Sequence, residues 1–167
     1  MGQYHYLINL DKKQFVHPHQ IGNGLKLKEQ VGWSYSTSTA LVMLLAASSR
    51  DGGRGGGDFH AVNPLVGSWA GDRIAFVGDY AEPEDIPGEN APGIYEECEV
   101  ASASRGETSA TAEGQKPWTD ISPEVRAMMS AEFSIQYAGD GWLDIIEEKG
   151  VRATAETAPD LVVGNKA

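Results

Sequence analysis

Four histidines fall within residues 5–60, and two of them stand one residue apart in His17-Pro18-His19. In an extended segment side chains repeat with period two, so both imidazoles would project to one side. Asp58-Phe59-His60 has the same spacing. Brought together, His17, His19, Asp58 and His60 would offer N and O ligands of the kind that hold zinc. A metal held there would lower the pKa of a bound water and generate a nucleophile for hydrolysis. The spacing matches no established zinc signature, and loop histidines beside proline are the ordinary alternative.

A second set of residues suits anion binding. In Gly53-Arg54-Gly55-Gly56-Gly57-Asp58 the glycines would let successive backbone N–H groups converge into a cradle, and Arg54 adds a bidentate donor for phosphate or carboxylate. Gly67-Ser68-Trp69-Ala70-Gly71-Asp72-Arg73 combines small residues with an aromatic face and another guanidinium. Trp69 would stack on a base or ring while Arg73 holds an anion. The candidate ligand-binding set is therefore Arg54, Gly55, Gly56, Gly57, Ser68, Trp69 and Arg73. The structural alternatives are glycine turn chemistry, a core tryptophan, and an Arg73 pairing with Asp72 or Asp79.

Other signatures fail on spacing. The glycine run does not meet the dinucleotide fingerprint, because the third glycine would fall at Asp58. Gly67-Ser68-Trp69-Ala70-Gly71 sets its serine one place too early for a nucleophile elbow. No phosphate-loop Gly-Lys-Ser/Thr and no His-Glu-x-x-His occurs. No catalytic residue set emerges.

Charge separates the two halves of the chain. Residues 1–80 hold seven Lys/Arg against six Asp/Glu, whereas residues 81–167 hold six against eighteen. An acidic half repels a phosphate backbone, which disfavours a nucleic acid polymer as partner. It suits solubility or a basic protein partner, with Glu82, Glu84, Asp85, Glu96, Glu97 and Glu99 as the contacting acids. The longest apolar run, Ala40 to Ala47, is far short of the ~18 residues of a membrane span. One cysteine, Cys98, excludes an internal disulfide. With a start that lacks the order of a signal peptide, these features predict a cytoplasmic setting. Nothing in the sequence fixes an oligomeric state.

Several segments carry a resemblance: Met1-Gly2-Gln3-Tyr4, Asn9-Leu10-Asp11-Lys12, His17-Pro18-His19, Gly24-Leu25-Lys26-Leu27, Arg54-Gly55-Gly56-Gly57-Asp58, Gly67-Ser68-Trp69-Ala70-Gly71-Asp72-Arg73-Ile74 and Gly78-Asp79-Tyr80. They resemble a group of small bacterial, archaeal and phage proteins that has no assigned activity. The likeness covers about the first eighty residues and, more faintly, Asp120-Ile121-Ser122 and Pro159-Asp160-Leu161-Val162-Val163. It implies a compact intracellular accessory protein of the kind a phage carries, and it carries over no catalytic residue.

The elements that must position these residues follow from patterning. Tyr4, Tyr6 and Ile8 alternate with His5, Leu7 and Asn9, a strand pattern, and Asp11 to Gln14 would turn it back into Phe15-Val16. Gly22-Asn23-Gly24 opens a loop. Residues 37–49 read as a helix apolar on most sides, hence buried, capped at Ser36, Thr37 or Ser38. Leu65 to Trp69 and Arg73 to Val77 read as a second hairpin or strand pair, the latter strand central because both of its faces are apolar. Glu82 to Gly93 is turn-rich, and residues 101–117 have almost no large apolar side chain, which predicts a mobile loop. Ser122-Pro123-Glu124 starts a helix over about 123–132. Ser134 to Tyr137 is a short strand, Gly139-Asp140-Gly141 a turn, Trp142 to Glu148 either helix or strand, and Pro159 to Val163 a last strand. The fold class is α+β: a single domain over 1–167, with a mixed or antiparallel sheet packed on at least two helices.

These residues point first to a non-catalytic intracellular binding protein that recognises a small anionic, nucleotide-type ligand or a protein partner. A phage-encoded accessory protein that sequesters a signal or blocks a defence protein would fit. The alternatives are a metal-dependent hydrolase using the His/Asp cluster and an acidic immunity-type inhibitor of a basic protein. Apart from that metal ion, no cofactor is implied.

Overall fold

The computed structural model describes residues 3–47, 59, 63–103, 117–133, 136–137 and 143–144. The first strand, β1 (His5–Asn9), turns through Leu10 to Lys13 into β2 (Gln14–Val16). Lys13 takes a positive φ of 53° in that turn, and Asn9 Oδ1 accepts the Lys12 backbone N–H at 2.9 Å. The hairpin is antiparallel, with Leu7 opposite Val16 and Asn9 opposite Gln14. The expected strand pair at the chain start is therefore present.

A single turn of 3-10 helix at Pro18–Ile21 leads to the short α1 (Leu27–Gly32) and then to α2 (Thr37–Leu45). α2 stops before the expected residue 49 because the next segment takes over its last carbonyls. The Gly67 N–H donates to Met43 O at 2.8 Å, and the Trp69 N–H to Leu44 O at 2.9 Å, which satisfies groups a helix end leaves open. Residues 64–72 are thus a series of turns against α2, with Gly67 and Gly71 at φ 70° and 86°. They do not form one arm of a hairpin.

β3 (Ile74–Gly78) pairs antiparallel with β1 over five residue pairs. α3 (Ala91–Ala103), β4 (Thr119–Asp120) and α4 (Ser122–Phe133) follow. β4 lies parallel to β2, and the sheet order is β3-β1-β2-β4. A separate two-stranded ribbon joins β5 (Gln136–Tyr137) to β6 (Leu143–Asp144), so the segment read as helix or strand is strand there. The protein is α+β, a four-stranded mixed sheet with helices packed against it.

β1 and β2 are the inner strands, and β3 lies at an edge. Leu7 and Val16 of the sheet face one core with Ala40, Met43, Leu44, Trp69, Val125, Met128 and Met129, which belong to α2, α4 and the turns between. Tyr6 and Ile8 face a second core with Phe15, Val77, Ala91, Ile94, Cys98 and Trp118, built on α3. Apolar residues on both faces of β3 suggested a central strand. Its Phe76 is instead left 36% exposed at the edge.

α3 starts inside the segment read as turns, and its end, Ala101 to Ala103, takes the first residues of the expected loop. Pro92 stands in its first turn, where no N–H is needed, and Asn90 O accepts the Ile94 N–H at 3.0 Å. Residues 104–116, the bulk of that loop, lie outside the described residues, as do the turn at 139–141 and the strand at 159–163. No helix among the described residues is long and apolar enough to cross a membrane.

Candidate functional site

Arg54, Gly55, Gly56, Gly57, Asp58 and His60 lie outside the described residues. The second glycine/arginine segment is described, and its residues are occupied by the fold. Trp69 is 0% exposed in the α2/α4 core, and its Nε1–H donates to Gln14 Oε1 at 2.8 Å. That burial leaves no exposed ring face on Trp69. Ser68 lends its carbonyl to Lys12 Nζ at 2.7 Å, and the same ammonium pairs with Asp72. Ser68 Oγ is buried without a hydrogen-bond partner among the described residues.

Arg73 is bonded on two sides. Its Nε–H donates to Asp11 Oδ1 at 2.8 Å and its Nη1–H to Glu89 Oε1 at 3.0 Å, while its backbone N–H reaches Asp11 Oδ2 at 2.8 Å. The Asp11 hydrogen bond, then that of Glu89, raises the guanidinium pKa further. Its partners are thus not the anticipated Asp72 or Asp79. The carboxylates are Asp11, 62 residues away in the chain, and Glu89, 16 residues away.

His17 and His19 are near each other, but not through an extended chain. Pro18 begins the 3-10 turn, and the two ring centroids lie 5.6 Å apart at 39°. The His17 ring leans on Tyr6 at 4.9 Å, and Tyr6 stacks on Tyr95 of α3 at 5.0 Å. The Tyr6 hydroxyl donates to the Glu99 carboxylate. Burial, with Glu99 adding to it, pushes the Tyr6 phenol well above the usual range and Tyr95 up to about 12. Burial likewise pushes up the Cys98 thiol, which leaves it a poor nucleophile. The cluster clamps α3 to β1. Among the described residues, no group of three or more His, Cys, Asp or Glu side chains is arranged to hold a metal ion.

An open cavity of about 260 Å³ lies along β3, lined by Gln3, His5, Phe76, Tyr80, Asp85 and Ile86, with the β3 backbone as its wall. Gly78 makes the wall possible, because a Cβ there would come 2.9 Å from His5 Nε2. The His5 imidazole covers that spot, and its Nδ1 is buried without a hydrogen-bond partner among the described residues. Burial lowers the His5 pKa against the raising pull of Asp79, so the ring is neutral at pH 7. The far side is the loop 79–90, which carries Asp79, Glu82, Glu84 and Asp85, all exposed. Asp85 Oδ2 accepts the Glu82 N–H at 2.9 Å and Asp79 Oδ1 the Tyr4 N–H at 3.0 Å. No ion pair to a described lysine or arginine neutralises these four carboxylates.

The sequence marks Glu82, Glu84 and Asp85 as acids for a basic partner, whereas nothing in its spacing singles out His5, Phe76 or Tyr80. The available signal was the pair of aromatic residues, Phe76 and Tyr80, just before the acidic half. No family model matches the chain, and no curated protein or solved structure matches it.

Proposed function

We propose that this is a non-catalytic binding protein that engages a protein partner through the acid-rimmed groove beside β3. The observation that carries the reading is the composition of that groove. Phe76 and Tyr80 offer apolar surface, 36% and 55% exposed, and Asp85 supplies the charge. Exposed aromatics with a charged rim are the makings of a protein interface. At about 260 Å³ the cavity falls below the ~300–1,000 Å³ that encloses a drug-sized ligand. An anionic ligand would meet Asp85 there, and Arg73 is already bonded to Asp11 and Glu89.

Of the readings made from sequence, the protein partner is thus favoured over the nucleotide-type ligand, and the partner surface is basic. This merges with the immunity-type reading, in which an acidic face covers a basic protein. The resemblance to phage-borne proteins suits the same role, an accessory protein that blocks another protein.

A thermal-shift comparison tests the reading. In about 0.15 M salt, a lysine-rich polypeptide should raise the melting temperature, and nucleotides or cyclic dinucleotides should not. A ligand at 100 times its Kd adds ~2.7 kcal/mol of stability, enough to be seen. A shift with a nucleotide and none with the basic polypeptide would overturn it.

A further inference from the structure

The groove wall is a sheet edge, and its backbone geometry says how a partner would attach. Leu10 N–H donates to Arg73 O at 2.9 Å, and Asp79 N–H donates to Tyr4 O at 3.0 Å. In an antiparallel ladder the bonded pairs alternate, so with the observed register the Ala75 and Val77 backbone groups point to β1. Those of Ile74, Phe76 and Gly78 point away from it, and Phe76 and Gly78 line the groove. The Gly78 carbonyl accepts the Ala81 N–H at 3.1 Å, which closes that end. No backbone bond from another described residue reaches the N–H and C=O groups of Ile74 and Phe76.

Soluble proteins usually guard such an edge with lysine, proline, a bulge or a very short strand. The opposite edge of this sheet is guarded in that way, since β4 has two residues, one of them Asp120. β3 reads Ile-Ala-Phe-Val-Gly, five residues with no charge and no proline. An apolar, unguarded edge beside a cavity is a template for strand addition, in which main-chain bonds supply affinity and alternate side chains supply specificity.

We infer that an extended segment of a partner protein, alternating apolar and basic residues, adds to β3 as a further strand, with its apolar side chains against Phe76 and its basic ones toward Asp85. This rests on the reading of the groove as a protein-binding site and states its mode. Charge selects the occupant. Asp85 lines the groove, with Asp79, Glu82 and Glu84 exposed in the same loop, and opposite charge across an interface steers encounter and excludes wrong partners. A second copy of this chain would bring the same four acids and a net charge of −11 to the contact, which opposes self-pairing.

The test uses the full chain and a displayed library of random twelve-residue peptides, followed by synthesis of the most enriched peptide. Enriched sequences should alternate apolar residues with Lys or Arg. On binding, amide exchange at Ile74 and Phe76 should slow by tenfold or more, and Ala75 and Val77 should change little. Phe76→Ala removes the side chain alone, while Phe76→Pro also removes the outward N–H, a change an edge strand tolerates. The proline variant should bind at least tenfold more weakly than the alanine variant at matched melting temperature. With the unaltered protein, N-methylation of one alternate set of peptide residues should abolish binding, and methylation of the other set should not.

A peptide whose binding weakens in Asp85→Asn but leaves Ile74 and Phe76 exchange unchanged, and is indifferent to both methylation sets, overturns strand addition and leaves the groove reading standing. No enrichment over an Asp85→Lys variant overturns both. Slowed exchange at Ile74 and Phe76 without peptide, together with a dimeric mass, would make a second copy the occupant and overturn the inference.

Discussion

An indole and a guanidinium in one turn have the chemistry of a binding pair, yet here each has a partner inside the fold. Trp69 gives its N–H to Gln14, and Arg73 bridges Asp11 and Glu89. At the groove, the residue with an unmet polar atom is His5, whose Nδ1 is buried without a partner among the described residues. Burial lowers its pKa from the ordinary 6.5, so the unfolded chain takes up a proton before the folded one does. Stability from a neutral buried imidazole is complete above pH 6.5 and falls as pH drops below it. Asp11 and Asp72 behave differently, because hydrogen bonds from Arg73 and from Lys12 hold their carboxyls below the usual 3.8. Their contribution is complete above pH 3.8 and is lost on further acidification. Denaturant midpoints measured across pH should therefore decline in two stages, the first below 6.5 and the second below 3.8. His5→Gln should remove the first stage and keep the second. An unchanged first stage in that variant would show that another group carries it.

At the scale of elements, the sheet sits between two unequal layers, α2 with α4 on one face and α3 on the other. Met128 is fully buried between α4 and the sheet, whereas Phe76 is partly exposed on β3. Chemical denaturation should find that Met128→Ala costs about 2–5 kcal/mol, as a cavity in a packed core does. Phe76→Ala should cost within about 0.5 kcal/mol, as a surface change does. Equal losses would mean that β3 carries core packing on its outer side. Much of this architecture was legible. The β1–β2 hairpin shows the alternation of a strand, and Ser122-Pro123-Glu124 carries its own helix start. α2 was legible too, but its end was not, since a tertiary contact from residues 67–69 terminates it. α3 was hidden by the prolines at its start, although Ala91, Ile94, Cys98 and Ala101 repeat at helical spacing. The place of β3 at the edge was not legible at all. Strand order follows from pairing, and an apolar strand at an edge looks like a central one. The acids of the groove were legible as charge, but His5 and Phe76 meet only through the β1–β3 register.

For the whole molecule, the decisive property is that charge and shape agree. The acidic half of the chain begins just after β3, and Asp85, one of its first carboxylates, lines the groove. A general acidic surface would attract any basic polymer in proportion to net charge, and salt would screen it over the ~8 Å Debye length of physiological buffer. A built site instead concentrates the effect at particular residues. Calorimetric titration of one lysine-rich peptide separates the two, using the parent protein, Asp85→Lys in the groove, and Glu96→Lys on the exposed side of α3. Both variants change net charge by the same amount. The groove reading predicts a Kd at least tenfold weaker for Asp85→Lys and within threefold of the parent for Glu96→Lys. Equal weakening by the two variants, or no binding by the parent protein, would contradict it.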